Sequence, residues 1–214
     1  WLHSDRLEFS REWYAARGVG WVVRAIDLLV DDLPGPSTPL VGTTALVGFR
    51  HVMARRRTRL FLANGRVVAD AAIDWVMVDA EGRPVRFPKE FEAFVDEVGE
   101  SFAPTKIPAS DQVVSNERIE IPLRNSDIDP LGHVNNAAWL ELVEEALSST
   151  APGILATLRR RIRLEYLGIT AASIVAINVQ PRDGGARITA FDPAGTQLLR
   201  GIIDPVPHSR HGGN

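Results

Sequence analysis

Cysteine is absent from all 214 residues. That excludes disulfides, thiolate nucleophiles and cysteine-bound zinc together, and fits a reducing cytoplasm, the location expected for the chain. An excess of one charge is also missing: 24 basic residues stand against 27 acidic ones, for a net charge of -3. No global field therefore draws the chain to nucleic acid or to a membrane surface. No apolar run approaches the roughly 18 residues that would span a bilayer. No secretory signal opens the chain, and no G-x-S-x-G supplies a serine nucleophile. What is present is hydrophobic material, 45% of the residues, enough to bury a sizeable core. The first residue is Trp1 rather than methionine, which suggests a native beginning further upstream.

From Trp21 onward the text reads as strands: W-V-V-R-A-I-D-L-L-V, then T-T-A-L-V-G-F, then A-R-R-R-T-R-L-F-L, then V-V-A-D-A-A-I-D-W-V-M-V. Pro34-Gly35-Pro36, Asn64-Gly65 and Glu81-Gly82 punctuate them as hairpin turns would. Ahead of them, residues 10–17 predict a short Ser-capped helix closed by Gly18. Residues 89–98 predict another short helix, followed by a connector around Pro104 and Pro108. A strand is expected at 117–122. A long helix over 132–147 follows, because Trp139, Leu140, Val143, Ala146 and Leu147 recur at helical spacing. Strands resume at 161–167, 173–179, 186–191 and 197–203. The expected fold class is α+β, with a largely antiparallel sheet.

The halves repeat. At a constant offset of 130, Arg57, Phe61, Gly65, Ile73, Asp74 and Val76 meet Arg187, Phe191, Gly195, Ile203, Asp204 and Val206. An unbroken register points to duplication of a strand, long helix and several antiparallel strands. The expected division is a first unit over 1–100, a linker over 101–115, a second unit over 116–206 and a frayed tail over 207–214 that carries His208 and His211. The first unit then lacks its leading strand and most of its long helix, the remainder of which would end near residue 8.

One stretch interrupts this pattern: S-D-I-D-P-L-G-H-V-N-N, from Ser126 to Asn136. It follows a strand, contains Pro130 and leads into the predicted helix, so it reads as a helix N-terminus. Backbone amides there lack internal partners and favour negative charge, so those near Gly132, His133 and Val134 are candidates to hold an oxyanion. Asp129, three residues earlier, would reach the same carbonyl as a nucleophile or as the base that activates water. Amides beside a carboxylate are what thioester hydrolysis needs.

D-P-L-G-H-V-N-N followed by a helix ending E-E-A-L resembles the signature of hotdog-fold thioesterases, in which a sheet wraps a long helix. R-E-W-Y-A-A-R-G-V-G-W-V-V-R, G-F-R and I-D-W-V-M-V-D-A-E-G-R-P-V-R-F-P resemble the acyl-ACP thioesterases of plants and bacteria. The resemblance covers nearly the whole chain. It implies a tandem (double) hotdog that hydrolyses fatty acyl thioesters from acyl carrier protein, with acyl-CoA as a second possible substrate. It also implies an apolar tunnel for the acyl chain, no metal or organic cofactor, and catalytic residues in the second unit. Carried over by position, Asp129 and His133 match the catalytic pair. Asn135 and Asn136 match paired asparagines assigned to shaping the turn and orienting Asp129 or a water. Leu131 stands where plant enzymes have an asparagine, and Ile169 and Thr170 where they have glutamate and cysteine. The surviving set is closer to relatives of 4-hydroxybenzoyl-CoA thioesterase, with one aspartate and helix-terminal amides.

Plainer readings stand beside these. Asp129 before Pro130 also suits a turn or a cap, and Asp127 is expected to be structural. Glu141 lies about 160° from Val143 on a wheel of about 100° per residue, so Glu141, Glu144 and Glu145 read as a solvated face. The arginines of 55–59 and 159–163 suit either an acidic carrier or phosphates, or the outward faces of strands. A homodimer is open, as are a non-catalytic acyl-thioester binding protein and an enoyl-thioester hydratase of the same fold.

Overall fold

A computed structural model of the chain describes residues 8–91, 102–109, 118–130 and 132–207. Leu131, His208, His211, residues 92–98 of the expected helix and much of the expected linker lie outside the described residues. The strands are β1 Val19–Val30, β2 Leu40–Arg50, β3 Met53–Leu62, β4 Val67–Asp79, β5 Ile119–Pro122, β6 Arg160–Tyr166, β7 Ile174–Arg182, β8 Gly185–Phe191 and β9 Gln197–Pro205. They form one sheet in the order β2-β3-β4-β1-β6-β9-β8-β7-β5, with every neighbouring pair antiparallel. The predicted strands are all present, because runs of Val, Ile and Leu between turn residues have little alternative to pairing. At the β3–β4 turn, Gly65 takes a φ of 81° that a side chain would resist.

The first helix, α1 Arg11–Arg17, forms as predicted. Ser10 accepts the Trp13 N–H at 3.3 Å, and Gly18 closes the helix at φ 59°. Beyond β4, Lys89–Phe91 make a short 3-10 turn.

The duplication is visible in the pairing. Ile26 pairs with Ile73 in the first half, and Ile162 with Ile203 in the second. The offset is thus 130 for β4 and β9 but 136 for β1 and β6, the difference being absorbed in the turns between them. β1 and β6 meet at the middle of the sheet, from Ala25 opposite Glu165 to Val30 opposite Arg160. They join the two halves across a pseudo-twofold seam.

Alternation gives the sheet two unlike faces. The inner face of the second half carries Leu164, Val175, Ile177, Ile188 and Leu199, all fully buried beneath α2, Ala138–Thr150. From that helix Trp139, Leu142, Val143, Ala146 and Leu147 point down into the same core. A short α3, Pro152–Leu155, follows. In the first half Phe9, Tyr14, Phe49, Ala54, Met77 and Phe91 form a separate aromatic cluster under α1.

The outer face is a ladder of ion pairs. Arg55 binds Asp74 through two bonds of 2.6 and 2.9 Å. Arg57 and Arg59 share Asp70, Arg161 takes Asp27, and Arg163 takes Asp204. Arg55, Arg57, Arg59, Arg161 and Arg163 therefore lie on an outward face, each engaged by a carboxylate, as strand alternation predicts, while Arg56 and Arg160 alternate to the inner face. Residues 102–109 cross this face as a strap over the seam. Asp74 accepts the Thr105 N–H at 2.7 Å, and Glu165, in the other half, accepts the Ile107 N–H at 3.2 Å. Both carboxylates flank Ala25 in the register. Ala25 is completely buried, and its small side chain lets the strap lie close to the sheet.

Candidate active site

The stretch from Ser126 to Asn136 does not begin the long helix. Helix α2 starts at Ala138 rather than near Gly132. The intervening residues form a closed turn, in which the Asp129 N–H donates to the His133 carbonyl at 2.8 Å and the Gly132 N–H to the Asp129 carbonyl at 3.0 Å. Pro130 and a φ of 80° at Gly132 favour that turn over helix. Ile128 and Val134 face each other as an isolated antiparallel bridge. The helix can start only once the chain leaves this bridge. Asn135 makes the transition: its Oδ1 accepts the Ala137 N–H at 2.9 Å and its carbonyl the Trp139 N–H at 3.2 Å.

The expected group of helix-terminal amides at Gly132, His133 and Val134 is corrected accordingly. The Gly132 amide closes the turn, and the His133 amide donates to Oδ1 of Asp129 at 3.1 Å. Bonds from Asp129 to His133 and from Asn135 to Asp127 flank the Ile128–Val134 pair, so the pair itself is of the non-hydrogen-bonded kind. Its geometry turns the Val134 N–H away from Ile128.

The two aspartates of the motif have different surroundings. Asp127 is 1% exposed. It accepts from the Arg124 backbone N–H at 2.7 Å and from the Arg124 guanidinium at 2.6 Å. The Arg124 side chain beside it holds its carboxyl below the usual range. Arg124 also reaches Glu141 on α2 at 2.8 Å, tying the turn to the outer side of the helix. Asp129 is half-buried, as is His133, while Gly132 and Asn135 are exposed.

The remaining carboxylates of the helix are peripheral. Glu144 pairs with Arg160 at 2.7 Å, and Glu145 lies on the exposed face. Ile169 and Thr170 follow β6. Ile169 is 70% exposed, whereas buried Thr170 uses its hydroxyl to accept the Ala172 N–H at 3.1 Å. Among the described residues no cluster of three His, Asp or Glu side chains is placed to hold a metal.

Sequence reasoning missed Tyr166. Its hydroxyl donates to the Asn136 carbonyl at 2.9 Å, so the last residue of β6 holds the exit of the turn from beneath. Burial pushes its phenol pKa up, which keeps the hydroxyl a donor. Arg24, on the bulge of β1, reaches from the first half to the Tyr166 carbonyl and to Glu165. A lone tyrosine at the end of a predicted strand gives no local hint of a partner thirty residues earlier.

Two antiparallel halves joined edge to edge, with a long helix on the inner face of the second, define the double hotdog class. The sequence matches the acyl-ACP thioesterase N-terminal domain over residues 2–95 and the acyl-ACP thioesterase C-terminal domain over residues 110–168. The chain belongs to the acyl-ACP thioesterase family, and is a thioester hydrolase.

Solved structures with the same fold include an acyl-ACP thioesterase from Bacteroides thetaiotaomicron, with TM-score 0.75 and 16% identity, covering 94% of this chain and 83% of that one. A 12:0-ACP thioesterase from Umbellularia californica gives TM-score 0.77 at 16% identity over 95% and 84% of the two chains. A MaoC-like dehydratase from Phytophthora capsici gives 0.61 at 14% identity over 88% and 72%. At such identities the likeness is one of fold alone. No curated protein matches the sequence. None of the described helices is long and apolar enough to cross a membrane.

Proposed function

We propose that the chain hydrolyses a fatty acyl thioester held on acyl carrier protein, with Asp129 as the carboxylate that attacks the acyl carbonyl or activates water. The observation that carries this choice is the contrast between the two aspartates. Asp127 is buried and saturated by Arg124, whereas Asp129 is oriented by the His133 N–H and remains half-exposed at the surface of the turn. A carboxylate oriented by a backbone amide and half-exposed suits attack on a carbonyl better than one that is fully buried. His133 stands across the same turn as the second catalytic group. Gly132 and His133 shape the turn through their amides, and the Val134 amide is the donor left for the carbonyl oxygen as charge develops there. Asn135 and Asn136 set the angle at which the turn enters α2.

In this reading the working unit is the pair of halves. A first unit over 1–100 and a second over 116–206 are joined by a linker whose described part binds both. The protein would act in the cytoplasm. A homodimer belongs to the same proposal, and sedimentation velocity tests it.

The deciding experiment follows hydrolysis of a panel of acyl-ACP and acyl-CoA thioesters by the wild type and Asp129→Ala. Turnover is expected on the ACP thioesters, with a loss of about a hundredfold or more in the variant. Unchanged turnover in the variant would reject Asp129. A wild type that binds these thioesters without cleaving them would favour the binding reading, and hydration of an enoyl thioester would favour the hydratase.

A further inference from the structure

Asp74 points to the outer face, where it binds Arg55 and the strap. Alternation along β4 therefore turns Ile73 and Trp75 to the inner face. There Trp75 lies opposite Ala54 on β3 and Val23 on β1. Val23 in turn packs against the core cluster that contains Tyr166, the residue that holds the catalytic turn. From Trp75 to Tyr166 is two strand spacings, about 10 Å.

The Trp75 indole N–H is buried and has no hydrogen-bond partner. Trp21, two strand positions away on the same face, shows the usual outcome: its indole donates to the Tyr14 hydroxyl at 3.0 Å. A buried donor left unmet is costly, and proteins seldom keep one without a ligand or water to satisfy it. Arg56, opposite Ile73 and diagonal to Trp75, is half-buried on the same face, and burial lowers its pKa. At the offset of 130, the second half has Ala186 and Pro205 in these places, neither with a side-chain donor. The inner face of the first half is thus apolar around Ile26, Leu28 and Ile73 but carries two donors within a few strand spacings of Tyr166.

Resting on the hydrolase reading above, we infer that Trp75 is a substrate-binding residue whose indole N–H meets an oxygen on the acyl chain. The enzyme would then prefer hydroxyacyl or oxoacyl thioesters to plain alkanoyl ones.

The test assays the wild type and Trp75→Phe, which keeps the ring packing, on chain-matched alkanoyl, hydroxyacyl and oxoacyl thioesters of one acyl carrier protein. The wild type is expected to favour an oxygenated chain by about tenfold in kcat/KM, roughly the worth of one neutral hydrogen bond. Trp75→Phe should erase that preference by lowering kcat/KM on the oxygenated substrates far more than on the alkanoyl one, and, because it removes an unmet buried donor, should hold or raise the melting temperature. An equal loss on all three substrates would overturn the inference, because the donor would then serve a group common to them all, such as a pantetheine amide. So would an active wild type without any preference. A wild type that cleaves none of the three removes the hydrolase reading itself, a different result from cleavage without discrimination.

Discussion

The two halves of the sheet share a strand order and differ in what lies on their inner faces. In the second half Ile162, Ala186 and Ile203 are all buried in the core under α2. In the first half the matching row of Leu46, Arg56, Ile73 and Ile26 is only half-buried. Ala186, fully buried in the second half, is replaced in the first by Arg56. One half is a closed platform that carries the turn of Asp129 and His133. The other carries Arg56 on its matching face. Duplication of a fold therefore need not duplicate its side chains: among the described residues, one half keeps a small apolar residue where the other keeps an arginine.

Stability measurements give the largest expected break in this comparison. Leu147→Ala removes a fully buried side chain from the sealed half and should cost about 2–5 kcal/mol in urea unfolding. Ile73→Ala, on the half-buried face, should cost about half as much or less. Equal costs would mean that both faces are sealed alike.

The next effect is at Tyr166. Tyr166→Phe leaves the Asn136 carbonyl without its donor and should cost about 1–3 kcal/mol. If Tyr166 positions the turn, kcat on an acyl thioester should fall while KM stays close to wild type. A loss of stability with kcat intact would make the residue merely structural.

Acid should loosen both halves' hold on the turn and the strap. Arg124 depresses the Asp127 pKa. For Glu165, burial acts to raise the pKa, but Arg200, the Ile107 amide and Arg24 together hold it below the usual value. Depressed carboxylates stabilise the fold fully above their unfolded values of about 3.9 and 4.3, and that contribution is lost as pH falls through the folded values. Protection of the Ile107 and Arg124 amides, taken relative to the intrinsic exchange rate at each pH, should therefore fall below about pH 4, and protection that persists there would contradict these pairings. The smallest effect belongs to Glu141→Gln, since an ion pair this exposed is worth about 0–1 kcal/mol.

The parts readable in the sequence were those encoded locally. Strand positions followed from apolar runs between Pro, Gly and Asn turns, and α1 from Ser10 and Gly18. The motif around Asp129 stood out by composition alone. The start of α2 was misread because apolar spacing has no term for a turn that closes on itself. Asp129, Gly132 and His133 satisfy one another's backbone groups, and that bonding competes with helix. Arg124 and Tyr166 gave no signal, since each acts on residues brought close only by the fold.

By itself the sequence determined the strands, the repeat and a carboxylate-bearing turn before a helix, because each depends on neighbours within a few positions. Only the tertiary structure decided which aspartate is buried and which half-exposed, where the strap crosses the seam, and that Trp75 faces the interior with its N–H unmet. Those facts depend on contacts between strands far apart in the chain, where pairing register, not local pattern, sets what each side chain meets.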